Sequence, residues 1–156
     1  MTAPRFNHVS VSAPDLEASV RFYTEVFGMT RIPSPNFGYP VAWMQSGNLQ
    51  LHLFQQQVQA PAQHHFALTL GPEQLSDIYL RAKEHGWIEP ETQGAAIREL
   101  ADGAAQSYLR DPAGNLVEMD TPSFAALAAE VRADAKRLVE EHPQSEENLR
   151  ATLFPG

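Results

Sequence analysis

Cysteine is missing from this chain of 156 residues, and so is any long uninterrupted apolar run. Without cysteine there can be no disulfide bond, no thiolate nucleophile and no metal site with sulfur ligands. No stretch has the length and apolar character of a signal peptide or a membrane-spanning helix. We therefore expect a cytoplasmic protein with no membrane partner.

Basic residues are also scarce. Lysine and arginine together number 11, against 19 aspartate and glutamate residues, which gives a formal net charge of −8. No cluster of basic residues stands out along the chain. Such a sequence offers no concentrated positive charge to a phosphate backbone or an anionic lipid surface. Nucleic-acid binding is therefore excluded as the main role.

What the sequence does contain is an internal repeat. One half begins with a strand that carries His8 and continues into an apolar helix ending at Gly28, and the other half repeats this order from His65 to Gly86. A repeat of roughly 57 residues can supply a small sheet and one helix, but it buries its apolar face poorly alone. With 43% hydrophobic residues, we expect one domain over residues 1–156.

Hydrophobic periodicity predicts the same order of elements in both halves. The first module, residues 5–55, has a predicted strand at 5–12, a helix from about Asp15 to Gly28, and strands near 41–45 and 49–55. A polar linker, 56–63, separates it from the second module, residues 64–120. There the prediction is a strand at 65–70, a helix at 73–85, and strands near 96–100, 106–110 and 115–120. The fold class is therefore α+β, with two tandem βαβββ modules whose hairpins form antiparallel pairs.

The C-terminal extension, residues 122–153, has a different pattern. Apolar side chains recur at helical spacing at Phe124, Leu127, Val131, Ala135 and Leu138. This stripe predicts an amphipathic C-terminal helix that ends before Pro143. The helix either packs on the sheet or on a dimer partner, or it forms a lid over a substrate pocket.

The two histidines occupy matching positions in the two modules. The strand period of two places His8 on one face with Ser10 and Ser12, as expected for a residue that lines a cavity. His65 matches the register of His8, so the adjacent His64 points to the opposite face. Glu118, on a later strand, would add a carboxylate to the two imidazoles. These three residues predict a metal site; the alternative is that both histidines are ordinary strand residues with hydrogen-bonded rings.

Several motifs carry a resemblance to a known family. They are Asn7–Val11 with Asp15-Leu16, Phe22–Met29, His65–Leu68, and Tyr108–Glu118. In their order and spacing, the chain resembles the vicinal-oxygen-chelate superfamily, which includes glyoxalases, extradiol dioxygenases, fosfomycin-resistance enzymes and bleomycin-resistance proteins. The resemblance covers residues 5–120 and leaves the extension unexplained.

The resemblance implies an open, cup-shaped mixed sheet with a divalent metal ion inside, Fe²⁺, Mn²⁺, Ni²⁺ or Zn²⁺. Transferred position by position, the metal ligands would be His8, His65 and Glu118. Two imidazoles and one carboxylate on one side of a metal leave coordination positions for substrate and water.

Two further residues are candidates for catalysis. Many glyoxalases have a fourth ligand, commonly glutamate, on the last strand of the first module, where this chain has Gln50 and His52 on one face. His52 either completes the metal site, acts nearby as an acid–base group, or is a buried histidine without a metal role. Tyr108 matches a substrate-contacting tyrosine in related enzymes, and a phenol there would stabilise an oxyanion; the alternative is a core aromatic. Arg98 could bind an anionic substrate, although a solvated surface position is the simpler interpretation.

The sequence thus favours a metalloenzyme whose small-molecule substrate chelates the metal through two neighbouring oxygens. Dioxygenase-like and glyoxalase-like reactions both remain open, and a fosfomycin-type transferase is less favoured because its basic residues are only partly present. The alternative is a non-catalytic protein of the bleomycin-resistance type, which sequesters a small molecule in the same cup. The resemblance also implies a homodimer, with sites formed either within one chain or between two.

Overall fold

The computed structural model describes residues 7–36, 38–57, 64–91, 94–146 and 148–154. Their strands are β1 (His8–Ser12), β2 (Thr30–Ile32), β3 (Val41–Ser46), β4 (Leu49–Phe54), β5 (His65–Thr69), β6 (Ile97–Glu99), β7 (Ala105–Arg110), β8 (Leu116–Thr121) and β9 (Ala135–Arg137). Their α-helices are α1 (Leu16–Phe27), α2 (Pro72–Glu84), α3 (Ala129–Ala133) and α4 (Leu138–Glu141). These elements belong to two compact units, one drawn from Met1–His64 and Asp111–Asn115, the other from His65–Arg110 and Leu116–Gly156.

The first unit has a four-stranded sheet in the order β1-β4-β3-β2, in which β1 and β4 are parallel and the other pairs antiparallel. Helix α1 packs against β3 and β4. The Asp15 side chain caps the helix by accepting a hydrogen bond from the Ala18 N–H at 2.9 Å. Gly28 ends it with φ 67°, a left-handed conformation that glycine adopts without strain. The predicted helix from about Asp15 to Gly28 is therefore confirmed in its bounds.

A turn that is distant in sequence completes this unit. The Tyr23 hydroxyl donates a hydrogen bond to Asp111 Oδ2 at 2.8 Å. The Asn115 amide donates to the same carboxylate at 2.7 Å and to the Ser12 carbonyl at 2.7 Å. Because all three groups are largely buried, this network fixes the turn against α1 and the end of β1.

The second unit has a five-stranded sheet in the order β5-β8-β7-β6-β9, with β5–β8 and β6–β9 parallel. The β6–β7 and β7–β8 pairs are antiparallel hairpin pairs. Helix α2 begins with Pro72, where a missing N–H costs nothing, and packs on β8. Leu75 and Tyr79 of this helix and Met119 of β8 are fully buried, so the core of the unit lies between α2 and one face of the sheet.

The α+β class and the repeated βαβββ order are confirmed. The sequence pattern did not give the bounds of the short strand β2. Its three residues are exposed or half-exposed, so they show no alternation of buried and exposed side chains. Residues 5–6 of the predicted first strand and 58–63 of the predicted linker lie outside the described residues. The expectation of a single domain stays a prediction.

The single amphipathic helix expected over 124–138 was wrong. The described chain instead has a 3₁₀ turn at Phe124–Ala126, the five-residue helix α3, the strand β9 and the four-residue helix α4. Strand β9 pairs in parallel with β6, which would otherwise be an edge strand with unpaired backbone groups. That tertiary pairing outweighs the helical pattern. Within the described ranges, no helix has the length and apolar character needed to cross a membrane.

Candidate functional site

One face of the first sheet collects the polar residues predicted for the site. The parallel register pairs His8 with Gln50 and Ser10 with His52, and the hairpin register pairs His52 with Trp43. Paired residues point to the same face of a sheet. The sequence prediction that Gln50 and His52 share a face is therefore confirmed.

Three rings on this face form a stack with His52 in the middle. The His52 ring lies 4.1 Å from the His8 ring, with 16° between their planes, and 4.2 Å from the Trp43 ring, with 4° between theirs. Its Nε2 lies 2.9 Å from Gln50 Oε1. Burial, and secondarily the proximity of His8, lower the pKa of His52, so its imidazole is neutral at neutral pH.

Asn7 sets the orientation of the predicted ligand His8. The His8 Nδ1 lies 2.8 Å from Asn7 Oδ1. Because an amide oxygen can only accept, the proton of a neutral His8 is on Nδ1, and Nε2 carries the electron pair. Metal-binding histidines commonly donate their second N–H in this way. The side chain of His8 is thus prepared to act as a ligand through Nε2.

A depression of about 320 Å³ lies farther along the same sheet. Its lining combines two serine hydroxyls with two aromatic rings and consists of Ser10, Val11, Ser12, Tyr39, Phe54 and Gln56. The Tyr39 and Phe54 rings are 6.0 Å apart. The mixture of rings and hydroxyls suits a small organic molecule with a few polar atoms.

The second sheet has a polar face centred on Glu118. The side chain of Glu118 is 6% exposed, and its Oε2 lies 2.8 Å from His65 Nε2. The Gln106 amide donates to Glu118 Oε1 at 2.7 Å. Tyr108, directly opposite Glu118 in the hairpin register, donates its hydroxyl to the same carboxylate. The structure therefore brings three predicted site residues, His65, Tyr108 and Glu118, into one cluster.

The cluster contains a second carboxylate. Burial, followed by the nearby Glu118 carboxylate, raises the pKa of Asp120. Burial and the same carboxylate raise the pKa of Tyr108, which keeps its phenol in the donor form. Asp120 Oδ1 is buried, and it has no hydrogen-bond partner among the described residues.

Arg98 is not the solvated surface residue that its sequence neighbours suggested. Only 8% of its side chain is exposed, and its guanidinium donates a hydrogen bond to Glu141 of the C-terminal extension. The reason is long-range: Glu141 lies 43 positions later in the sequence and supplies the compensating charge that makes burial of an arginine possible.

The donors fit a divalent metal in type. Imidazole nitrogens and carboxylate oxygens are ligands for Fe²⁺, Mn²⁺, Ni²⁺ and Zn²⁺, and Asn7 and Gln106 occupy the positions of orienting partners. The first unit holds His8, and the second holds His65 and Glu118. Over the ranges that the structure describes, no cluster of three or more histidine and carboxylate side chains is arranged to hold a metal ion.

Sequence reasoning missed Asn7, Gln106 and Asp120 as members of these clusters. The strand period of two was the available signal, because Asp120 follows Glu118 by two positions and Gln106 precedes Tyr108 by two. The contact between Trp43 and His52 was likewise contained in the register of the hairpin that turns at Gly47. The roles of His52 and Tyr108 in catalysis stay predictions.

The sequence model of the Glyoxalase/Bleomycin resistance protein/Dioxygenase superfamily matches residues 5–119. The glutathione transferase FosA of Serratia marcescens is 27% identical over 135 residues, which cover 81% of this chain and 86% of that protein. The mitochondrial methylmalonyl-CoA epimerase of Homo sapiens is 26% identical over 133 residues, covering 74% of this chain and 73% of that protein.

Two solved structures illustrate the structural likeness. The lactoylglutathione lyase from Agrobacterium tumefaciens superposes with a TM-score of 0.61 at 23% identity, covering 78% of this chain and 96% of that one. At that identity the likeness establishes the fold alone. The oxidase ChaP-H1 superposes with a TM-score of 0.60 at 27% identity, covering 79% of this chain and 99% of that one.

Proposed function

Because this chain belongs to the Glyoxalase/Bleomycin resistance protein/Dioxygenase superfamily, we propose that it is a divalent-metal-dependent enzyme acting on a small substrate that chelates the metal through two neighbouring oxygens. The proposed ligands are His8, His65 and Glu118. The family match over residues 5–119 agrees with the resemblance recognised from the sequence motifs.

The observation that carries the proposal is the cluster around Glu118. His65 and Glu118 come from different strands, yet their donor atoms converge within 2.8 Å. The Gln106 amide donates a hydrogen bond to Oε1 of the buried Glu118 carboxylate and so fixes the direction of its second oxygen, Oε2. Such an orienting hydrogen bond is expected for a carboxylate that binds a metal. His8 has the equivalent support from Asn7 in the other unit. A chain that used these histidines only as strand residues would have no need of two orienting amides.

The metal, when bound, supplies Lewis acidity and open coordination positions for the two substrate oxygens. The side chains around it have separate tasks. Tyr108 is a neutral, buried phenol that donates a hydrogen bond toward negative charge, on Glu118 in the free protein and on a substrate oxygen during turnover. His52 is neutral, fixed by Gln50 and held between two rings, so it keeps the His8 ring in place and can accept a proton at its remaining nitrogen.

The reaction class stays between dioxygenase-like and glyoxalase-like chemistry. The relatives include a transferase, an epimerase, a lyase and an oxidase, and one fold can host several different reactions. A substrate with two adjacent oxygens, as in a catechol or an α-hydroxy ketone, is common to both reaction classes that we propose.

The first experiment measures metal content per chain after anaerobic reconstitution with iron(II), manganese, nickel and zinc. His65→Ala is compared with His64→Ala, because His64 is the preceding residue and is exposed. We expect about one tightly held metal in the unmodified chain and in His64→Ala, and loss of it in His65→Ala. Iron preference directs screening to catechols, and nickel or zinc to glyoxalase substrates. Equal metal content in the two variants would refute the ligand set.

The second candidate function is sequestration of a small molecule without catalysis. It is favoured by the depression lined by serine hydroxyls and by the Tyr39 and Phe54 rings, since such a lining binds an organic ligand without any metal. A chain that takes up no metal but binds small aromatic molecules, with weaker binding after Phe54→Ala, would support this function over the enzyme.

A further inference from the structure

The depression at the far end of β1 belongs to the same unit as the proposed ligand His8. Its lining includes Ser10 and Ser12, which follow His8 on one face of the strand. At about 3.3 Å per residue, the backbones of these serines are roughly 7 and 13 Å from that of His8. His8 and Ser10 are both exposed, so the face that leads from the ligand to the depression is accessible to a bound molecule.

The aromatic rings of this sheet face differ in their ability to contact a ligand. His8 and Trp43 both stack in parallel on the His52 ring, so a ligand ring cannot stack there. Phe54, the next residue on this face of β4, lies edge-on to His52, with 6.4 Å between the ring centroids and 63° between the planes. Phe54 lines the depression together with Tyr39, which is 44% exposed. A ligand ring is therefore expected against Tyr39 and Phe54 rather than over His52.

The described residues that line the depression carry no charge. They offer two aromatic rings, two serine hydroxyls and the Gln56 amide, a combination that suits a flat apolar group with one or two neutral polar atoms. A charged group would find no compensating partner among them. The volume of about 320 Å³ is about twice the roughly 150 Å³ of a cavity that binds benzene. The depression therefore has room for more than one ring.

The distance between His8 and the depression sets the length of the ligand. A molecule that binds a metal at His8 and also fills the depression must extend over roughly 7–13 Å. A single six-membered ring is only about 3 Å across, two covalent bond lengths, so a simple catechol or a small hydroxy ketone is too short. Several fused rings, or two rings joined by a short linker, have the required length.

We propose that the substrate is an elongated aromatic molecule. Two adjacent oxygens at one end chelate the metal at His8, and an uncharged ring at the other end packs against Tyr39 and Phe54, which are then specificity-determining residues. This proposal deepens the proposed function and rests on it for the metal-bound end of the substrate. Because His8 and the depression belong to one unit, it holds whichever chain supplies His65 and Glu118.

The first test uses the metal-free, full-length protein, so that ring binding is separated from chelation. Alizarin, which has three fused rings and two adjacent hydroxyls, and catechol, which has one ring, are titrated calorimetrically. We expect alizarin to bind at least about tenfold more tightly. Phe54→Leu stays apolar but loses the ring, and should weaken alizarin binding about 2- to 10-fold. Phe124→Leu, at a half-buried ring of the second unit, is the matched control and should bind alizarin normally.

Tyr39→Leu, at an exposed ring, guards against unfolding of Phe54→Leu and should weaken alizarin binding in the same direction.

The second test connects the ring to the metal. Metal content is measured first, because an empty chain refutes the proposed function itself. In the loaded chain, the metal should strengthen binding of alizarin and leave that of anthraflavic acid unchanged, since the hydroxyls of this isomer are on opposite rings and cannot chelate together. Three results in a chain that holds metal would overturn this proposal and leave the metal site intact. They are alizarin binding no tighter than catechol binding, equal affinities in Phe54→Leu and Phe124→Leu, and a gain on metal loading that does not favour alizarin over its isomer.

Discussion

At the scale of single residues, the predicted ligands His8 and Glu118 have one feature in common: each is oriented by a hydrogen bond with an amide side chain. Asn7 accepts from His8 at 2.8 Å, and Gln106 donates to Glu118 at 2.7 Å. Neither amide needs to touch a metal to influence its affinity. Each fixes which atom of its partner is presented and in which direction, so binding requires less reorganisation.

Because these hydrogen bonds orient the ligands, we predict that Asn7→Ala and Gln106→Ala each weaken metal affinity by about 10–100-fold, although the ligands themselves stay intact. Competition with a chelator of known affinity measures the change. Gln74→Ala, on the exposed surface of α2, is the control and should retain full affinity. If both amide variants bind metal as tightly as that control, His8 and Glu118 are not oriented for metal binding.

The faces of the sheets on which these site residues lie were largely predictable from the sequence. The period of two placed Gln50 with His52, and a hairpin around Asp111–Asn115 placed Tyr108 beside Glu118. Arg98 was placed wrongly because its burial depends on Glu141, and no local pattern reports a partner 43 positions away. Local periodicity identifies the face on which a residue lies, whereas its burial is set by the tertiary contacts of the whole unit.

At the scale of elements, α2 and the chain segment after α3 are joined through one carboxylate. Tyr79 of α2 donates its hydroxyl to Asp134 Oδ2 at 2.9 Å, and Lys83 pairs with the same oxygen. The hydrogen bond from Lys83 is the main cause that lowers the pKa of Asp134 below its usual value. The bridge positions α3 and β9, and thereby the extension that leads to Glu141.

The lowered pKa gives this bridge a defined pH dependence. A carboxyl group that is more acidic in the folded than in the unfolded chain stabilises the fold above its unfolded pKa, and that contribution is lost as the pH falls through the folded value. Asp134→Asn should therefore lower the melting temperature by a few degrees, about 2–4 °C for a loss of about 1 kcal/mol, at pH 5–8. The difference from the unmodified chain should shrink below about pH 4.

Melting curves from pH 3 to pH 8, followed by circular dichroism, provide this measurement. Asp77→Asn is a suitable control because Asp77 is exposed on the same helix. A difference between Asp134→Asn and the unmodified chain that persists unchanged at pH 3 would show that the carboxylate charge is not what joins these elements.

Elements with long, regular patterns were predictable, and the short ones were not. Helix α1 was delimited from the sequence because Asp15 and Gly28 mark its ends with their own chemistry. The stripe from Phe124 to Leu138 had no such caps, and its helical spacing was outweighed by the pairing of β9 with β6. The backbone groups at the open edge of β6 gain more from pairing with another strand than the extension gains from continuing as a helix.

At the scale of the whole molecule, the proposed ligands are divided between the two units. One unit contributes a single ligand, His8, and the other contributes His65 and Glu118, so neither unit supplies three. Homodimers with two-fold symmetry present every contact twice, which allows two equal sites to be built from complementary units of two chains. We propose a homodimer whose metal sites are built either within one chain or from His8 of one chain and His65 with Glu118 of its partner.

Mixed dimers of two inactive variants test this arrangement. His8→Ala and His65→Ala carry different affinity tags, are expressed together, and the dimers bearing both tags are isolated. If sites are shared, one site of each mixed dimer has both mutations and the other is intact, so about half of the metal content of the unmodified dimer returns. Dimers of either variant alone, which should remain empty, are the controls. Mixed dimers as empty as those controls would mean that each chain builds its own site, because every chain then lacks one ligand.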